Sequence, residues 1–419
     1  MKHTRIRYIS TSILVVACLL AATTYVHAAT GRQLAESALS SLRSSAATTT
    51  TQNMTTLSWS WFEINYYDEQ YPLTVDLVGS NLQCAQKIIY LLPGGGVNFK
   101  SSFLTPFLGD NLAQYLRKNG YLVVGITPRE DNVPSADSYP FMAGWGLAKH
   151  KADMRKIISI VQAKVHLPYC VLGHSFGAAY ALDYAASYPN EPEKTIALDI
   201  YSFAPGDTVR VHDADITYGA FLDLMGDKQY ADSSYSDIKS LMLISLLFPW
   251  VDSGQSRSDL SLPGDFTFEG LLYYSMIWSS TLPGIHTPLT GLPGDWPLVQ
   301  SYVAGQYILA QNPWNDTYSF SKTDICTLRE AAVKVGSGLV PCALYRDYFA
   351  VNAFNGAYTI NFSAITKPVL WLNTELGYGT SAYHADNPNV EAGIILGYGH
   401  LDALSSNTAQ QDVWHRFIE

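Results

Sequence analysis

Cationic residues are scarce in this chain, and they do not cluster. Its 419 residues include 26 Lys and Arg against 36 Asp and Glu, so the formal net charge is −10. An acidic chain without a basic stripe is a poor partner for nucleic acid, because phosphate binding depends on Lys and Arg. We therefore predict that the protein does not bind nucleic acid.

Metal-binding patterns and long apolar runs are missing as well. The sequence has five Cys and ten His, but no C-x-x-C pair and no His/Cys cluster with the spacing of metal ligands. We predict neither a metal nor a cofactor. No apolar run reaches the ~20 residues that a membrane-spanning helix needs, so we predict no stable membrane span. Internal repeats are also absent from the sequence.

The first 28 residues have the order of a secretory signal peptide. Lys2, Arg5 and Arg7 give a positive start, and an apolar stretch leads to small residues that end at Ala28. We predict cleavage near Ala28 and a secreted or periplasmic protein. A lipoprotein anchored through Cys18 is the less favoured alternative, because the residues after Cys18 are apolar.

Export implies an oxidising compartment for the cysteines that remain after cleavage. Cys326 and Cys342 enclose a short loop, and we predict a disulfide between them. Cys170 lies in an apolar segment, so we predict a buried thiol there.

Strand-like and helix-like segments alternate through much of the chain. Residues 29–56 are rich in Ser, Thr and Ala and are predicted to be a linker. Residues 57–206 begin with two alternating, antiparallel strands and continue with apolar runs separated by segments of helical periodicity. This alternation predicts an α/β fold, in which helices flank a mainly parallel sheet.

The alternation stops after Pro205. Residues 207–365 are rich in Tyr, Trp, Phe, Leu and Pro and lack regular strand–helix order. We predict a mainly helical cap there, inserted after a strand that ends near Pro205. The strand-like segments KPVLWLNTE and AGIILGYGH then resume the earlier pattern, so residues 366–419 are predicted to complete the core.

The pentapeptide GHSFG, residues 173–177, separates an apolar strand from a helix of small residues. This is the context of a nucleophile elbow, a sharp turn that exposes a serine hydroxyl above the sheet. Gly173 and Gly177 leave room for close backbone packing, and the helix directs its N-terminus at the same place. We predict that Ser175 is a catalytic nucleophile.

A serine that attacks carbonyl groups also needs an oxyanion hole and a base. The N–H of Phe176 is one predicted oxyanion donor, and the glycines after the strand KIIYLL supply the other, with Gly95 or Gly96 favoured. His400 ends a strand near the C-terminus, where a loop can reach the serine, and it is the predicted base. His384 is the alternative.

With the motifs GHSFG, PGGG and GHLD and the large insertion, the chain resembles the α/β-hydrolase superfamily over nearly all of its mature length. The resemblance implies an eight-stranded sheet and the chain order nucleophile, acid, histidine. The acid usually follows the penultimate strand, where Gly377 occupies the commonest position, and we predict Glu375 two residues earlier. Asp199 is the alternative, because some lipases of the family carry the acid after the preceding strand, and Asp402 is a lesser one.

These residues predict a serine hydrolase that forms an acyl-enzyme on Ser175. The aromatic insertion favours a small-molecule or lipid ester as substrate. The first alternative is a peptidase of the capped aminopeptidase type, in which an acid cluster made of Asp213, Asp215 and Asp223 would hold the peptide N-terminus. The second is a non-catalytic binding protein on the same fold. Epoxide hydrolase chemistry is not expected, because those relatives use an aspartate nucleophile.

Overall fold

A computed structural model of the protein describes residues 29–46, 48–136, 138–278 and 301–419. The predicted signal peptide, its cleavage site and Cys18 lie outside the described residues. None of the helices in the described part of the chain is long and apolar enough to cross a membrane.

Nine strands of the described residues form a sheet at the centre of the fold. They are β1 (Thr48–Thr55), β2 (Trp59–Tyr67), β3 (Leu73–Ser80), β4 (Lys87–Leu92), β5 (Tyr121–Thr127), β6 (Tyr169–His174), β7 (Lys194–Leu198), β14 (Val369–Thr374) and β15 (Val390–Ile395). Their order in the sheet is β1-β2-β3-β5-β4-β6-β7-β14-β15. The pairings β1–β2, β2–β3 and β3–β5 are antiparallel, and the others are parallel.

Helices pack on both faces of this sheet. They are α1 (Gly31–Ser45), α2 (Phe99–Phe103), α3 (Leu112–Lys118), α4 (Leu147–Gln162), α5 (Phe176–Ser187), α11 (Asp402–Ser405) and α12 (His415–Ile418), the last preceded by a π-helix over Gln410–Trp414. Strands β5 and β6 are buried along their whole length, which explains their continuous apolar runs. The predicted fold class, a mostly parallel sheet flanked by helices, is confirmed.

The first part of residues 29–56 is not a linker, which corrects the prediction. Thr30 and Gln33 form a capping box that starts α1. Buried Ala35, Ala38 and Leu42 then form a stripe at helical spacing, which packs in the main hydrophobic core. Strand β1 extends the sheet at its edge, so the sheet has nine strands rather than eight. The Ser-, Thr- and Ala-rich composition is typical of a linker, but the same residues form helix α1 and edge strand β1 in this protein.

The described residues between β7 and β14 form helices and short two-stranded ribbons. Helices α6 (Thr208–Gly226), α7 (Ser234–Leu247), α8 (Phe268–Ile277), α9 (Ile325–Lys334) and α10 (Cys342–Ala353) are the longest of these elements. Three two-stranded ribbons pair β8 (Ala231–Asp232) with β13 (Val340–Pro341), β9 (Asp252–Ser256) with β10 (Asp265–Thr267), and β11 (Gly305–Ile308) with β12 (Thr317–Phe320).

The predicted disulfide between Cys326 and Cys342 is wrong, because both residues are free thiols. Cys326 is exposed in the first turn of α9, whereas Cys342 is buried at the start of α10. Burial raises the pKa of the Cys342 thiol to about 12. The short loop between the two cysteines therefore does not bring them together. Cys170 is a buried thiol, as predicted.

Two buried carboxyl groups lie opposite each other on the neighbouring strands β2 and β3. Glu63 and Asp76 are cross-strand partners, and the Lys100 ammonium lies 2.5 Å from Glu63 Oε2. The indole N–H of Trp61 donates to Asp76 Oδ1 at 2.8 Å. Burial, reinforced by the charge of Glu63, raises the pKa of Asp76 to about 8. Lys100 opposes this shift and Asp131 adds to it.

Asp76 should make the stability of the protein depend on pH. The folded state holds the Asp76 proton more tightly than the unfolded chain, where Asp titrates near 3.9, so stability falls as the pH rises from about 4 to about 8. The unfolding free energy of the wild type should fall by up to about 1.4 kcal/mol per pH unit in this range. We expect Asp76→Asn to remove this loss, because the amide cannot ionise. Urea unfolding from pH 5 to pH 9 measures the effect.

The control for this experiment is Asp110→Asn, since Asp110 forms an exposed ion pair with Lys118. Its unfolding free energy should follow the wild-type pH profile. Parallel profiles for wild type and Asp76→Asn would contradict the raised pKa of Asp76.

Candidate active site

Ser175 lies in the turn between β6 and α5, with φ 55° and ψ −128°. A non-glycine residue rarely adopts this backbone conformation, which is strained. The flanking glycines explain how it is held. A Cβ on Gly173 would lie 2.0 Å from the carbonyl oxygen of Gly177, and a Cβ on Gly177 would lie 2.1 Å from that of Leu92. Strand and helix therefore meet backbone to backbone, as in a nucleophile elbow.

The glycine loop after β4 lies directly against this turn. A Cβ on Gly94 would lie 3.0 Å from the Cβ of Ser175, and one on Gly95 would lie 2.9 Å from the ring of Phe176. Gly96 has a φ of 72°, which favours glycine. The structure thus brings together the segments that carry Ser175, Phe176 and the predicted oxyanion loop.

His400 pairs with Asp199. Its Nδ1 lies 2.6 Å from Asp199 Oδ2, and both side chains are almost completely buried. Because the carboxylate accepts, Nδ1 carries the proton and Nε2 remains free to act as a base.

Asp199 is itself held by three further hydrogen bonds. Its Oδ1 accepts from the backbone N–H of Thr374 at 2.7 Å and of Tyr378 at 3.3 Å, and its Oδ2 accepts from the Thr374 hydroxyl at 2.9 Å. The sequence reasoning missed both of these partners. Thr374 is the last residue of β14 and Tyr378 lies in the turn that follows, and no local pattern in the sequence links either residue to Asp199.

Glu375, the acid favoured from the sequence, is not the partner of His400. It is exposed, and its carboxylate accepts from the backbone N–H of Gly397 at 2.7 Å. The strand before Asp199 explains the difference. β7 ends at Leu198, not near Pro205 as predicted, and Asp199 follows with a φ of 50°. This sharp turn at the end of the strand directs Asp199 towards His400.

Asp402, the lesser alternative, supports the histidine loop instead. Its Oδ2 accepts from the backbone N–H groups of Ala304 at 2.7 Å and Gly399 at 2.8 Å, and its Oδ1 accepts from the Thr323 hydroxyl at 2.6 Å. Burial raises the pKa of Asp402 to about 6. His384, the alternative base, is half-buried, and its carbonyl oxygen accepts from the N–H of Asn387.

His174 connects the elbow to the histidine loop, a role that the sequence did not indicate. Its Nε2 lies 3.0 Å from the carbonyl oxygen of His400, and the two imidazole rings are 4.3 Å apart. A carbonyl only accepts, so His174 Nε2 donates. Burial, and then the charge of His400, hold the pKa of His174 well below its usual range, so this ring is neutral. The contact fixes His400 beside the turn that carries Ser175.

Tyrosines surround the site, most of them from the segment between β7 and β14. Tyr235 packs on Gly96, where a Cβ would lie 2.6 Å from its ring. The ring of Tyr302 lies 6.0 Å from that of His400, and the ring of Tyr345 lies 5.1 Å from that of Phe176. The side chains around the elbow are therefore mostly aromatic and apolar, and the tyrosines among them also carry hydroxyl groups.

The acidic residues considered for a peptide N-terminus do not converge. Asp213, Asp215 and Asp223 all lie on α6, where Asp215 and Asp223 are exposed and Asp215 accepts from Asn355. At a rise of about 1.5 Å per residue, Asp213 and Asp223 are roughly 15 Å apart along the helix. They do not form one acidic pocket.

Comparison with known proteins supports the architecture only. No protein-family model matches the chain, and no curated protein does either. A candidate lipase from Sulfolobus solfataricus superposes with a TM-score of 0.55 at 15% identity, over 88% of this chain and 97% of that one.

Two other similar structures have lower scores. A candidate lipase from Acinetobacter baumannii has a TM-score of 0.41 at 13% identity, over 93% of this chain and 95% of that one. An epoxide hydrolase from Vigna radiata has a TM-score of 0.45 at 13% identity, over 88% and 96%. At 13–15% identity the activity of a similar protein does not carry over, so the activity of this chain has to be inferred from the site.

Proposed function

We propose that this chain, which has the α/β-hydrolase fold, is a secreted serine hydrolase that cleaves carboxylic esters through an acyl-enzyme on Ser175. The observation that carries the proposal is the hydrogen bond of 2.6 Å between His400 Nδ1 and Asp199, in a loop tied to the elbow of Ser175 through His174. A buried acid–histidine pair beside a strained serine turn is the arrangement that activates a serine for attack on a carbonyl group.

In the proposed mechanism the Ser175 oxygen attacks the ester carbonyl carbon while His400 Nε2 takes the hydroxyl proton. Asp199 keeps the histidine in the required tautomer and stabilises the imidazolium. The N–H groups of Phe176 and of Gly95 or Gly96 bind the oxyanion. His400 then gives its proton to the leaving alcohol, and a water molecule, deprotonated by His400, releases the acid.

The surroundings of the site favour an ester or lipid over a peptide. The aromatic residues around the elbow offer apolar contacts, whereas the acids on α6 do not converge to hold an amino group. A serine peptidase of the capped aminopeptidase type remains the second candidate function, because the same triad cleaves amides. The proposal of a binding protein has less support, since such a protein does not need the pairing of Asp199 with His400.

Secretion is part of the proposal because of the sequence of the first 28 residues. Cys326 and Cys342 are free thiols, so they add no support for export.

The test of the proposal is mass spectrometry after treatment with a fluorophosphonate. We expect one adduct, formed when the Ser175 oxygen displaces fluoride from phosphorus, because the triad makes this hydroxyl a better nucleophile than other serines. Heat-unfolded protein is the control and should not react. Panels of nitrophenyl esters and aminoacyl anilides then distinguish an esterase from a peptidase. A folded protein that gives no adduct on Ser175 would contradict the proposed function.

A further inference from the structure

An internal cavity lies between the core and helices α7, α8 and α9, beside the candidate active site. The space inside it that a water-sized atom can occupy is about 90 Å³, and because one water needs only about 10–15 Å³ of such space, it has room for several methylene groups. On the core side it is bounded by the segment that follows the glycine loop and by α11. Apolar side chains line the rest of the cavity, among them Ile238, Met242, Met276, Leu328, Ala332 and Val335.

The described lining residues offer no free charge to a ligand. Among the lining residues that the structure describes, Lys239 is the one with a charged side chain, and its ammonium donates to the carbonyl oxygens of Val335 at 2.6 Å and Gly336 at 3.1 Å. No carboxylate lies among the described lining residues. A charged group would lose its hydration there without gaining a partner of opposite charge, whereas a hydrocarbon chain would gain apolar burial.

The cavity shares three walls with the candidate active site. Tyr235, which packs on Gly96, lines it, and so does Tyr302, whose ring lies 6.0 Å from His400. The two tyrosine rings are 6.4 Å apart. His174, the residue before Ser175, forms the third shared wall. Ser175 does not line the cavity itself, so a substrate chain that reaches from Ser175 into the cavity would run along these shared walls.

We infer that this cavity binds the aliphatic chain of the substrate, past the pair formed by Tyr235 and Tyr302, while the ester group lies at Ser175. The inference rests on the proposed function and narrows it to esters with a hydrocarbon chain of medium length. The chain belongs either to the acid or to the alcohol, because the cavity adjoins both the glycine loop and the loop of His400.

The test compares two series of substrates. Nitrophenyl esters from acetate to decanoate lengthen the acyl side, and acetates of ethanol to octanol lengthen the alcohol side. In one series we expect kcat/KM of the wild type to rise about fourfold per methylene until the cavity is filled, which is the usual gain from burying a methylene group. The series that rises assigns the chain to the acid or the alcohol.

Ala332→Trp fills the cavity from α9. It should lower the ratio of kcat/KM for an eight-carbon chain to that for a two-carbon chain by at least about 50-fold, in whichever series rises. The rate on nitrophenyl acetate should change by less than about threefold. Met242→Ala enlarges the cavity and should move the optimum to longer chains, which keeps the test informative if the tryptophan variant does not fold. Ala220→Trp on α6, which does not line the cavity, is the matched control and should behave as wild type.

Flat profiles in both series, with the acetate ester hydrolysed normally, would overturn the inference and leave the proposed function standing. A rise in chain-length preference that Ala332→Trp does not change would also overturn it, because the chain would then bind elsewhere. If no ester is hydrolysed and Ser175 is not phosphonylated, the proposed function fails, and the inference fails with it.

Discussion

Replacing Ser175 with alanine is expected to lower kcat for ester hydrolysis by about 10⁶-fold, the size of loss seen when a serine hydrolase loses its nucleophile. The residual rate should come from the oxyanion donors and from substrate binding alone. Adding His400→Ala to this variant should cost almost nothing more, because a base has no proton to take once the hydroxyl is gone. Steady-state kinetics of the single and double variants measure both effects.

Folding should not be affected by this substitution. The Ser175 side chain makes no capping hydrogen bond to α5, so its hydroxyl leaves no backbone N–H unpaired when it is removed. Alanine has the same Cβ at the same φ of 55°, so the backbone strain is unchanged. Ser187→Ala, at the other end of α5, is the matched control and should retain full activity. An active Ser175→Ala enzyme with a normal melting temperature would rule out the acyl-enzyme.

The elbow could be predicted because its geometry depends on neighbours in sequence. Gly173 and Gly177 are required by contacts within a few residues and with the adjacent strand, and the pattern GHSFG records that requirement. The alternation of apolar strands and helices likewise indicated the parallel sheet, because buried parallel strands read as continuous apolar runs. The search for continuous apolar runs did not find β1, because β1 is an exposed edge strand made mostly of Thr, Gln and Asn.

The sequence indicated Asp199 only as the alternative acid and favoured Glu375, because the position of the acid depends on distant contacts. The apolar residues after Leu198 suggested a strand that continues to Pro205. Asp199 would then lie inside the strand, where its side chain would not reach the loop of His400. Asp199 instead leaves the strand, because Thr374 and Tyr378, about 175 residues away in sequence, offer it hydrogen bonds. The disulfide prediction failed for a related reason, since a short sequence separation does not fix the directions of two side chains.

Asp199→Asn should lower kcat by about 10⁴-fold, whereas Glu375→Gln should change it by less than about threefold. The reason lies in the hydrogen bonds of Asp199. Its Oδ1 accepts from two backbone N–H groups, so an asparagine would place its oxygen there. The amide nitrogen would then occupy the place of Oδ2 and donate to His400 Nδ1. That bond moves the histidine proton to Nε2, the wrong tautomer for a base, and such an exchange costs about 10⁴-fold in a serine protease.

Glu375→Gln is the matched control for this prediction, because it also replaces one carboxylate oxygen with an amide nitrogen. The exposed glutamine can still accept from the backbone N–H of Gly397 through its amide oxygen, so the loop should keep its conformation. Rates for both variants on one ester, together with melting temperatures, decide between the two acids. A large loss in Glu375→Gln with little change in Asp199→Asn would show that the histidine turns to Glu375 during catalysis. The expected opposite result would mean that the end of β7, one strand earlier than the commonest arrangement, supplies the acid.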